Sequence, residues 1–191
     1  RRRPPAGGER AAGGAVVSGG AGGDRGDPDG GGTYTLLVEL SEPTTIEVGA
    51  LGEHRLPPGA YAYTGSALGA GGFARVDRHR RTARGEHDVR HWHVDYLLGR
   101  DEARIDRVVR SVGVDAECAI AGGLPAGPVD GFGASDCGCA SHLAALDEDP
   151  EAGADPASQV RDAHASVTPA RGGRVDVVVD VVAGDEPARE E

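Results

Sequence analysis

Apolar and β-branched residues occur in short runs, separated by turn residues, through the first two thirds of the chain. The runs at 33–40, 44–49 and 60–65 have the length and composition of strands, and the Pro57-Pro58-Gly59 turn precedes the third. A further run at 105–112 has the same character. The pattern therefore predicts strands at these four places.

Helical spacing is found in three further segments, 73–83, 89–96 and 117–124, although the alternation in the second also allows a strand. In the first of them, Arg75 and His79 stand four residues apart and therefore share one face of the helix. Arg75, Arg78 and four other arginines make the stretch from Arg75 to Arg90 the most basic part of the chain. This stretch is either a surface that follows phosphates or a solvated helix face.

The two ends of the chain differ in composition from its middle. Residues 1–30 are rich in Gly, Pro, Arg and Asp and have little to bury, which predicts a disordered N-terminal tail. Acids, Pro and Ala dominate 147–191 until a valine run at 174–182, which has the composition of one added strand. We therefore predict one folded domain at 31–146 between a disordered tail and an acidic tail.

The charge of the chain is strongly negative, at −11, and all twenty basic residues are arginines. This usage is typical of GC-rich, salt-adapted archaea, although drift in base composition could produce it too. An acidic surface argues against loose, charge-driven binding of nucleic acid. It does not exclude a nuclease, because at about 1 M salt the Debye length is only ~3 Å. Contacts with phosphate must then be close and local.

The compartment is predicted from what the chain lacks. Three cysteines do not form the disulfide framework of a secreted protein. The basic N-terminal stretch has Gly and Ala where a signal peptide needs an apolar core, and no run is long enough to cross a membrane. We expect a cytoplasmic protein without a membrane partner.

Two tyrosines stand at strand-like runs, one in Gly32-Thr33-Tyr34 and one in Tyr63-Thr64-Gly65, and Arg75 follows about a dozen residues later. This order resembles the GIY-YIG nuclease superfamily, and most closely its small, single-domain Uri-type endonuclease branch. Thr33 and Thr64 depart from the residues of the family name, but both are β-branched strand formers. The other similar segments are 58–67, 91–96, 117–119 and 131–137.

The resemblance implies an α+β fold with a small, mostly antiparallel, three-stranded sheet flanked by helices. It also implies a metal-dependent endonuclease that hydrolyses phosphodiester bonds in nucleic acid, DNA rather than RNA. The matching site residues are Tyr34, Tyr63, Gly65, Arg75 and Glu117. No residue matches the Asn that family members often carry in a later helix. No separate domain for reading sequence is visible, so a protein partner could supply specificity.

The residue types suit this chemistry. Arg75 offers a planar, permanently charged fork for phosphate oxygens, and the Glu117 carboxylate suits Mg²⁺ or Mn²⁺. Either Tyr34 or Tyr63 could activate water; the resemblance favours Tyr34 as the base and Tyr63 as the residue that positions water or phosphate. A nearby metal and Arg75 would lower the pKa of such a phenol from about 10. The competing interpretation is a non-catalytic nucleic-acid-binding module on the same scaffold.

Several other residues are candidates for the same cleft. His79 shares the face of Arg75 and could orient water or touch phosphate, although a surface histidine is an equal alternative. We expect Arg78, His91 and His93 to contact substrate. His91-x-His93-x-Asp95 also matches half of a metallo-β-lactamase-like zinc motif, which would continue with His where this chain has Tyr96. The other interpretation, which we favour, is that this segment lines the cleft or buttresses the helix that carries Arg75.

A cysteine-rich segment raises the question of zinc. Cys137-x-Cys139-x-x-His142, with Cys118 as a fourth residue, has ligand types that bind Zn²⁺ tetrahedrally. The spacing of the two cysteines is tighter than usual for zinc, and buried free thiols also pack as small apolar groups. We therefore expect Mg²⁺ or Mn²⁺, rather than Zn²⁺, as the cofactor.

Overall fold

An antiparallel sheet of five strands organises the part of the chain that the computed structural model describes, which is residues 30–146, 155–167 and 177–181. In spatial order its strands are β6 (Leu143–Leu146), β4 (Gly59–Ser66), β1 (Gly32–Leu40), β5 (Ala103–Val112) and β7 (Val177–Val181). The order places β1 at the centre, hydrogen-bonded to β4 on one side and to β5 on the other.

A hairpin and four helices complete the described fold. Strands β2 (Thr44–Glu47) and β3 (Glu53–Leu56) pair with each other and are joined through a short 3₁₀ turn at Gly49–Leu51. The helices are α1 (Ala74–Ala83), α2 (His93–Leu98), α3 (Glu117–Gly122) and α4 (Pro156–Ala165). None of these helices has the length and apolar character needed to cross a membrane.

The α+β class and the antiparallel sheet flanked by helices are confirmed, but the count of three strands is wrong. Strands β4, β1 and β5 form the centre of the sheet, and one short strand extends it at each edge. The valine run supplies β7. Strand β6 was not predicted, because it has only four residues and two of them are alanine. The predicted N-terminal tail at 1–29 lies outside the described residues.

The first face of the sheet carries the larger core. Alternate residues of β1 point to this face, where Tyr34, Leu36 and Val38 are almost fully buried. They belong to one cluster with Val76 of α1 and Leu97 of α2. Helices α1 and α2 therefore close the face that carries both sequence-predicted tyrosines.

The second face is covered by α4, which the sequence analysis did not predict. Asp155 caps this helix by accepting a hydrogen bond from the Ala157 backbone N–H, and a proline opens its first turn. Val160 is completely buried in a small cluster with Leu37 and Ala62 of the sheet. The folded unit thus continues beyond residue 146, the boundary that composition suggested.

A buried polar network joins α4 to the sheet. His164 Nε2 lies 2.9 Å from Thr35 Oγ1, and His164 Nδ1 lies 2.7 Å from Ser111 Oγ. Thr35 Oγ1 is also 2.9 Å from Thr64 Oγ1. Because both ring nitrogens have a hydroxyl partner, the neutral imidazole is satisfied. Burial accordingly lowers the pKa of His164 to about 4.

This buried imidazole should make stability depend on pH. Between about pH 6.5 and the folded-state pKa of about 4, the unfolded chain binds a proton at His164 that the folded chain does not. The free energy of unfolding should therefore fall as the solution is acidified, by about 3 kcal/mol across this window. Urea unfolding as a function of pH measures the effect. In the His164→Asn variant this part of the slope should vanish; an unchanged slope would refute the assignment.

Candidate active site

The two predicted tyrosines lie on neighbouring strands and point to the same face of the sheet. In the register of β1 and β4, Tyr34 stands opposite Gly65, and Leu36 stands opposite Tyr63. Because Tyr63 and Gly65 are two residues apart, they share a face with Tyr34. The structure therefore brings together the residues that the sequence motif implied.

Gly65 makes room for the Tyr34 ring. A Cβ atom at this position would lie 2.6 Å from the Tyr34 hydroxyl oxygen and 2.7 Å from its ring carbon Cζ. Both distances are far below van der Waals contact, so any larger residue would push the ring away. The absence of a side chain at Gly65 thus serves the packing of Tyr34.

A chain of polar contacts leads inward from Tyr34. Its hydroxyl lies 2.9 Å from Nε2 of His79, which is fully buried on α1. The other ring nitrogen, Nδ1, is 3.3 Å from Asp95 Oδ1, at ion-pair distance although not aligned as a hydrogen bond. The order of groups is thus carboxylate, imidazole and phenol.

Asp95, at the start of α2, is the hub of this arrangement. Its fully buried carboxylate accepts hydrogen bonds from the backbone N–H groups of His91 and Trp92, at 2.8 and 3.0 Å. Arg78 Nη2 donates to both carboxylate oxygens at 2.9 Å. Burial alone would raise the pKa of Asp95, but the contacts with His79, the two N–H groups and Arg78 outweigh it and hold the pKa well below its usual range. Asp95 therefore stays ionised.

The two arginines of α1 have different surroundings. Arg78 forms an ion pair with Asp95, and its guanidinium carbon lies 3.8 Å from the centre of the Trp92 ring. Arg75 lies farther from that ring, at 4.7 Å, and donates one hydrogen bond of 2.6 Å to the Ser66 carbonyl. Arg75 keeps further donors for a ligand, whereas Arg78 buttresses the site and forms part of its wall.

Burial controls the protonation of the site. It raises the pKa of Tyr34, which the neighbouring Tyr63 raises further and Arg75 only partly offsets. Burial and then the charge of Glu117 likewise raise the pKa of Tyr63. Arg75 lowers the pKa of both phenols, as expected, but burial outweighs this effect in the protein by itself. Burial lowers the pKa of His79, so its imidazole is neutral at pH 7.

A basic cleft opens beside these residues. Its volume is about 330 Å³, and its walls include the glycine-rich segment 69–72 together with Arg75, Arg78, Arg81 and Trp92. A guanidinium beside glycine-rich backbone is suited to phosphate, because it can pair with two oxygens at once. The cleft therefore offers a place where one phosphate could approach Arg75.

The remaining histidines have other contacts. His91 is exposed and its ring packs edge-on against Trp92, with centroids 5.9 Å apart. His93 Nδ1 accepts a hydrogen bond from the Gly133 N–H, and its ring packs against Phe132. These contacts assign His93 to support of the loop before β6. Neither residue belongs to the group with metal-ligand geometry found in the described part of the chain, so the metallo-β-lactamase-like alternative is not supported.

Glu117 begins α3 and lies beside a cluster of thiols. Its Oε1 atom is 3.2 Å from His142 Nδ1, and this contact raises the pKa of His142 to about 9 against the effect of burial. The ligand atoms of Cys118, Cys137, Cys139 and His142 all lie within 4.8 Å of one another. A donor group of thiols and imidazole suits Zn²⁺ better than Mg²⁺. At this cluster the geometry therefore favours Zn²⁺, in contrast to the expectation of Mg²⁺ or Mn²⁺ as the cofactor.

Comparison with known protein families adds one finding to this geometry. Residues 33–165 match DUF123, described as a domain of unknown function. The chain belongs to the DUF123 family. The family is related to the Uri-like group of the GIY-YIG superfamily. The DUF123 match contains every candidate site residue and ends with the last residue of α4. Comparisons with curated proteins and with solved structures gave no match.

Sequence reasoning missed the importance of Asp95 and Trp92 in this DUF123 domain. Asp95 was considered only together with His91 and His93, as part of a metal motif or as support for the helix that carries Arg75, and its own contacts with His79 and Arg78 on that helix were not foreseen. One signal was available, because an acid three residues after the residue that precedes a helix is typical of a capping interaction. The stacking of two arginines on Trp92 had no such signal, since it depends on the angle between α1 and α2.

Proposed function

We propose that this DUF123 domain is a metal-dependent endonuclease that hydrolyses phosphodiester bonds in nucleic acid, DNA rather than RNA, as in the Uri-type branch of the GIY-YIG superfamily. The observation that carries the proposal is the contact chain Asp95–His79–Tyr34. Tyr34, at its end, is within electrostatic range of Arg75, and Arg75 is one of the residues that line the basic cleft. A base and a phosphate-binding cation next to each other are what hydrolysis of a phosphodiester requires.

The contact chain gives a path for the proton of the attacking water. Neutral His79 carries its proton on Nδ1, facing Asp95, so that Nε2 is free to accept from the Tyr34 hydroxyl. As water attacks phosphorus, its proton passes to Tyr34 while the phenol proton moves to His79. Asp95 then stabilises the imidazolium that forms. No isolated phenolate is needed, which fits the raised pKa of Tyr34.

Arg75 stabilises the transition state in this proposal. Negative charge grows on the equatorial oxygens of the phosphorane, and a fixed guanidinium next to them lowers the barrier. Stacking on Trp92 and the hydrogen bond to Ser66 hold Arg75 in place before substrate arrives. The binding energy is therefore not spent on ordering a mobile side chain.

Tyr63 positions the water or a phosphate oxygen. Its hydroxyl has no hydrogen-bond partner among the residues that the structure describes, unlike that of Tyr34. The edge of its ring contacts both His79 and Phe132, which fixes its direction. An oriented, unpartnered hydroxyl next to the base is suited to one hydrogen bond with the reacting groups.

Glu117 is the residue that would hold Mg²⁺ or Mn²⁺. Its side chain is 26 % exposed, and one carboxylate is enough for Mg²⁺ when water and phosphate complete the coordination. When bound, the ion would neutralise charge on the phosphate and on the leaving oxygen. A protein partner could add sequence or structure specificity, since the basic cleft is small.

Cleavage of labelled single-stranded, duplex and branched DNA, and of the same strands as RNA, tests the proposal in molar KCl with Mg²⁺ or Mn²⁺. Arg75→Ala should slow cleavage by roughly 10–100-fold, the value of one hydrogen bond to a charged group. Arg55→Ala removes an equal charge from an exposed position on β3 and serves as the matched control. Equal rates for the two variants would contradict the role of Arg75.

A non-catalytic nucleic-acid-binding module is the second candidate. The observation that favours it is the burial of Tyr34, which is only 1 % exposed. Such a module would bind DNA through the arginine cleft and would need no metal carboxylate. Comparing the wild type with Glu117→Gln separates the two functions. In an endonuclease, the variant should cleave more slowly by orders of magnitude with DNA binding retained. A binding module would cleave no DNA in either form.

A further inference from the structure

We propose that Cys118, Cys137, Cys139 and His142 bind one structural Zn²⁺, and that Glu117 orients the histidine ligand. The four ligand atoms already lie within 4.8 Å of one another. In a tetrahedral site with Zn–S bonds of about 2.3 Å, ligand atoms stand roughly 3.8 Å apart. Side-chain rotations that draw the atoms together by about 1 Å would therefore complete the coordination.

The two nitrogens of His142 have separate partners, as a zinc ligand requires. Nε2 faces the thiols and lies 3.4 Å from Cys137 Sγ. Nδ1 lies on the other side of the ring, 3.2 Å from Glu117 Oε1. A carboxylate behind a metal-bound histidine fixes the ring and the nitrogen that carries the proton. Glu117 thus occupies the position of that carboxylate.

The surrounding fold explains why a metal would be useful. Residues 123–142 connect α3 to β6 without a helix or strand of their own. Connections of this length inside a domain are uncommon and need additional anchors. Three ligands come from this loop or its end, and Cys118 comes from α3. One ion would therefore fasten the loop to the helix.

The fastened loop contacts the candidate active site. Phe132 packs against Tyr63. The His142 carbonyl accepts a hydrogen bond from the backbone N–H of Thr64, which directly follows Tyr63 on β4. Since four protein ligands leave no open position, the ion would stabilise structure rather than bind substrate. Glu117 is shared with the proposed nuclease, but the four zinc ligands take no part in the proposed mechanism, so zinc binding can be tested without DNA.

Metal analysis of the full chain tests the site directly. The protein is reduced, loaded with Zn²⁺ in molar KCl and dialysed, after which elemental analysis should find about one equivalent of zinc per chain, as a single four-ligand site requires. Loading with Co²⁺ should give the intense visible absorption of a tetrahedral thiolate site. A wild-type chain that retains no zinc, or a Co²⁺ spectrum of octahedral type, would overturn the proposal. Neither readout uses cleavage.

Two variants sharpen the test. Cys139→Ser exchanges a single sulfur for oxygen and should abolish retention of zinc through dialysis. Ser135→Ala, an exposed change in the same loop, should keep the full equivalent. Full retention in Cys139→Ser would overturn the ligand set, and the wild-type Co²⁺ spectrum remains decisive even if that variant fails to fold.

Glu117→Gln tests the orienting carboxylate separately. Loss of such a partner typically weakens metal binding by 10–100-fold, so competition with a chelator should show a shift of that size with one equivalent still bound at saturation. An unchanged zinc affinity would overturn the assignment of Glu117. Measuring cleavage at saturating zinc then keeps a failure of the zinc site distinct from a failure of the nuclease proposal.

Discussion

Replacing Tyr34 by Phe should reduce the rate of DNA cleavage by roughly 10²–10⁴-fold, the range expected when a general base is lost. The change removes only the hydroxyl that contacts His79 Nε2 at 2.9 Å and leaves the buried ring in place. Single-turnover cleavage in Mg²⁺ at saturating enzyme measures the chemical step. Binding of DNA should be unaffected, because Tyr34 is almost completely buried.

The pH dependence of cleavage gives a second readout for Tyr34. His79 must be neutral to accept the phenol proton, and its pKa is lowered from 6.5 by burial. The wild-type rate should therefore fall as the solution becomes more acidic than this lowered pKa and should be level at neutral pH. The residual rate of Tyr34→Phe should lack this fall, since His79 no longer has a proton to receive.

Tyr61→Phe is the matched control for this experiment. Tyr61 lies on the same strand as Tyr63, is equally buried, and donates its hydroxyl to the Pro57 carbonyl at 2.7 Å. Removing this hydroxyl should lower the free energy of unfolding by about 1 kcal/mol without slowing cleavage. Tyr63→Phe should slow cleavage by roughly 10–100-fold, the value of one orienting hydrogen bond to a charged group. If Tyr34→Phe cleaves at the wild-type rate, the proposed proton path fails.

Asp95→Ala should lower the free energy of unfolding by about 3–5 kcal/mol, the usual cost of removing one partner from a buried ion pair. The carboxylate is fully buried, and the Arg78 side chain is only 13 % exposed. The variant would leave the guanidinium and two backbone N–H groups without their acceptor. Urea unfolding at constant salt, monitored by the single tryptophan, measures the loss.

The control for Asp95 is a surface carboxylate on the neighbouring helix. Asp77 is 68 % exposed and pairs with Arg80, so Asp77→Ala should change stability by less than about 1 kcal/mol. The pKa of Asp95 is held below its unfolded value of 3.8, so its contribution should persist at neutral pH and disappear only in strong acid. Equal effects of the two substitutions would show that Asp95 is not the hub of the site.

The central strands were predictable from sequence because their signals are local. The runs that became β1 and β4 alternate or cluster apolar residues over eight or nine positions, and Arg75 and His79 share a helix face by spacing alone. Helix α4 was not predictable in this way. Two of its four buried residues are alanine, and the residues that explain it, His164 and its hydroxyl partners, lie far apart in sequence.

The candidate site was predicted in its residues but not in its contacts. Tyr34 and Tyr63 could be placed on one face because strand periodicity is strict. The contact of Asp95 with His79, and that of Glu117 with His142, depend on how helices and loops pack against the sheet. Cys118 was already a candidate for the thiol cluster, but its approach to the other three ligand residues depends on the packing of α3 and could not be predicted from spacing.

The position of Tyr34 on the central strand has a consequence for motion. Strand β1 is hydrogen-bonded along both edges, so its amide hydrogens should exchange with solvent only when the whole domain opens. The Tyr34 phenol therefore belongs to a strand, β1, that we expect to move little. Any rearrangement that admits a substrate must come from the elements packed over this face, where segment 69–72 has no strand pairing to hold it.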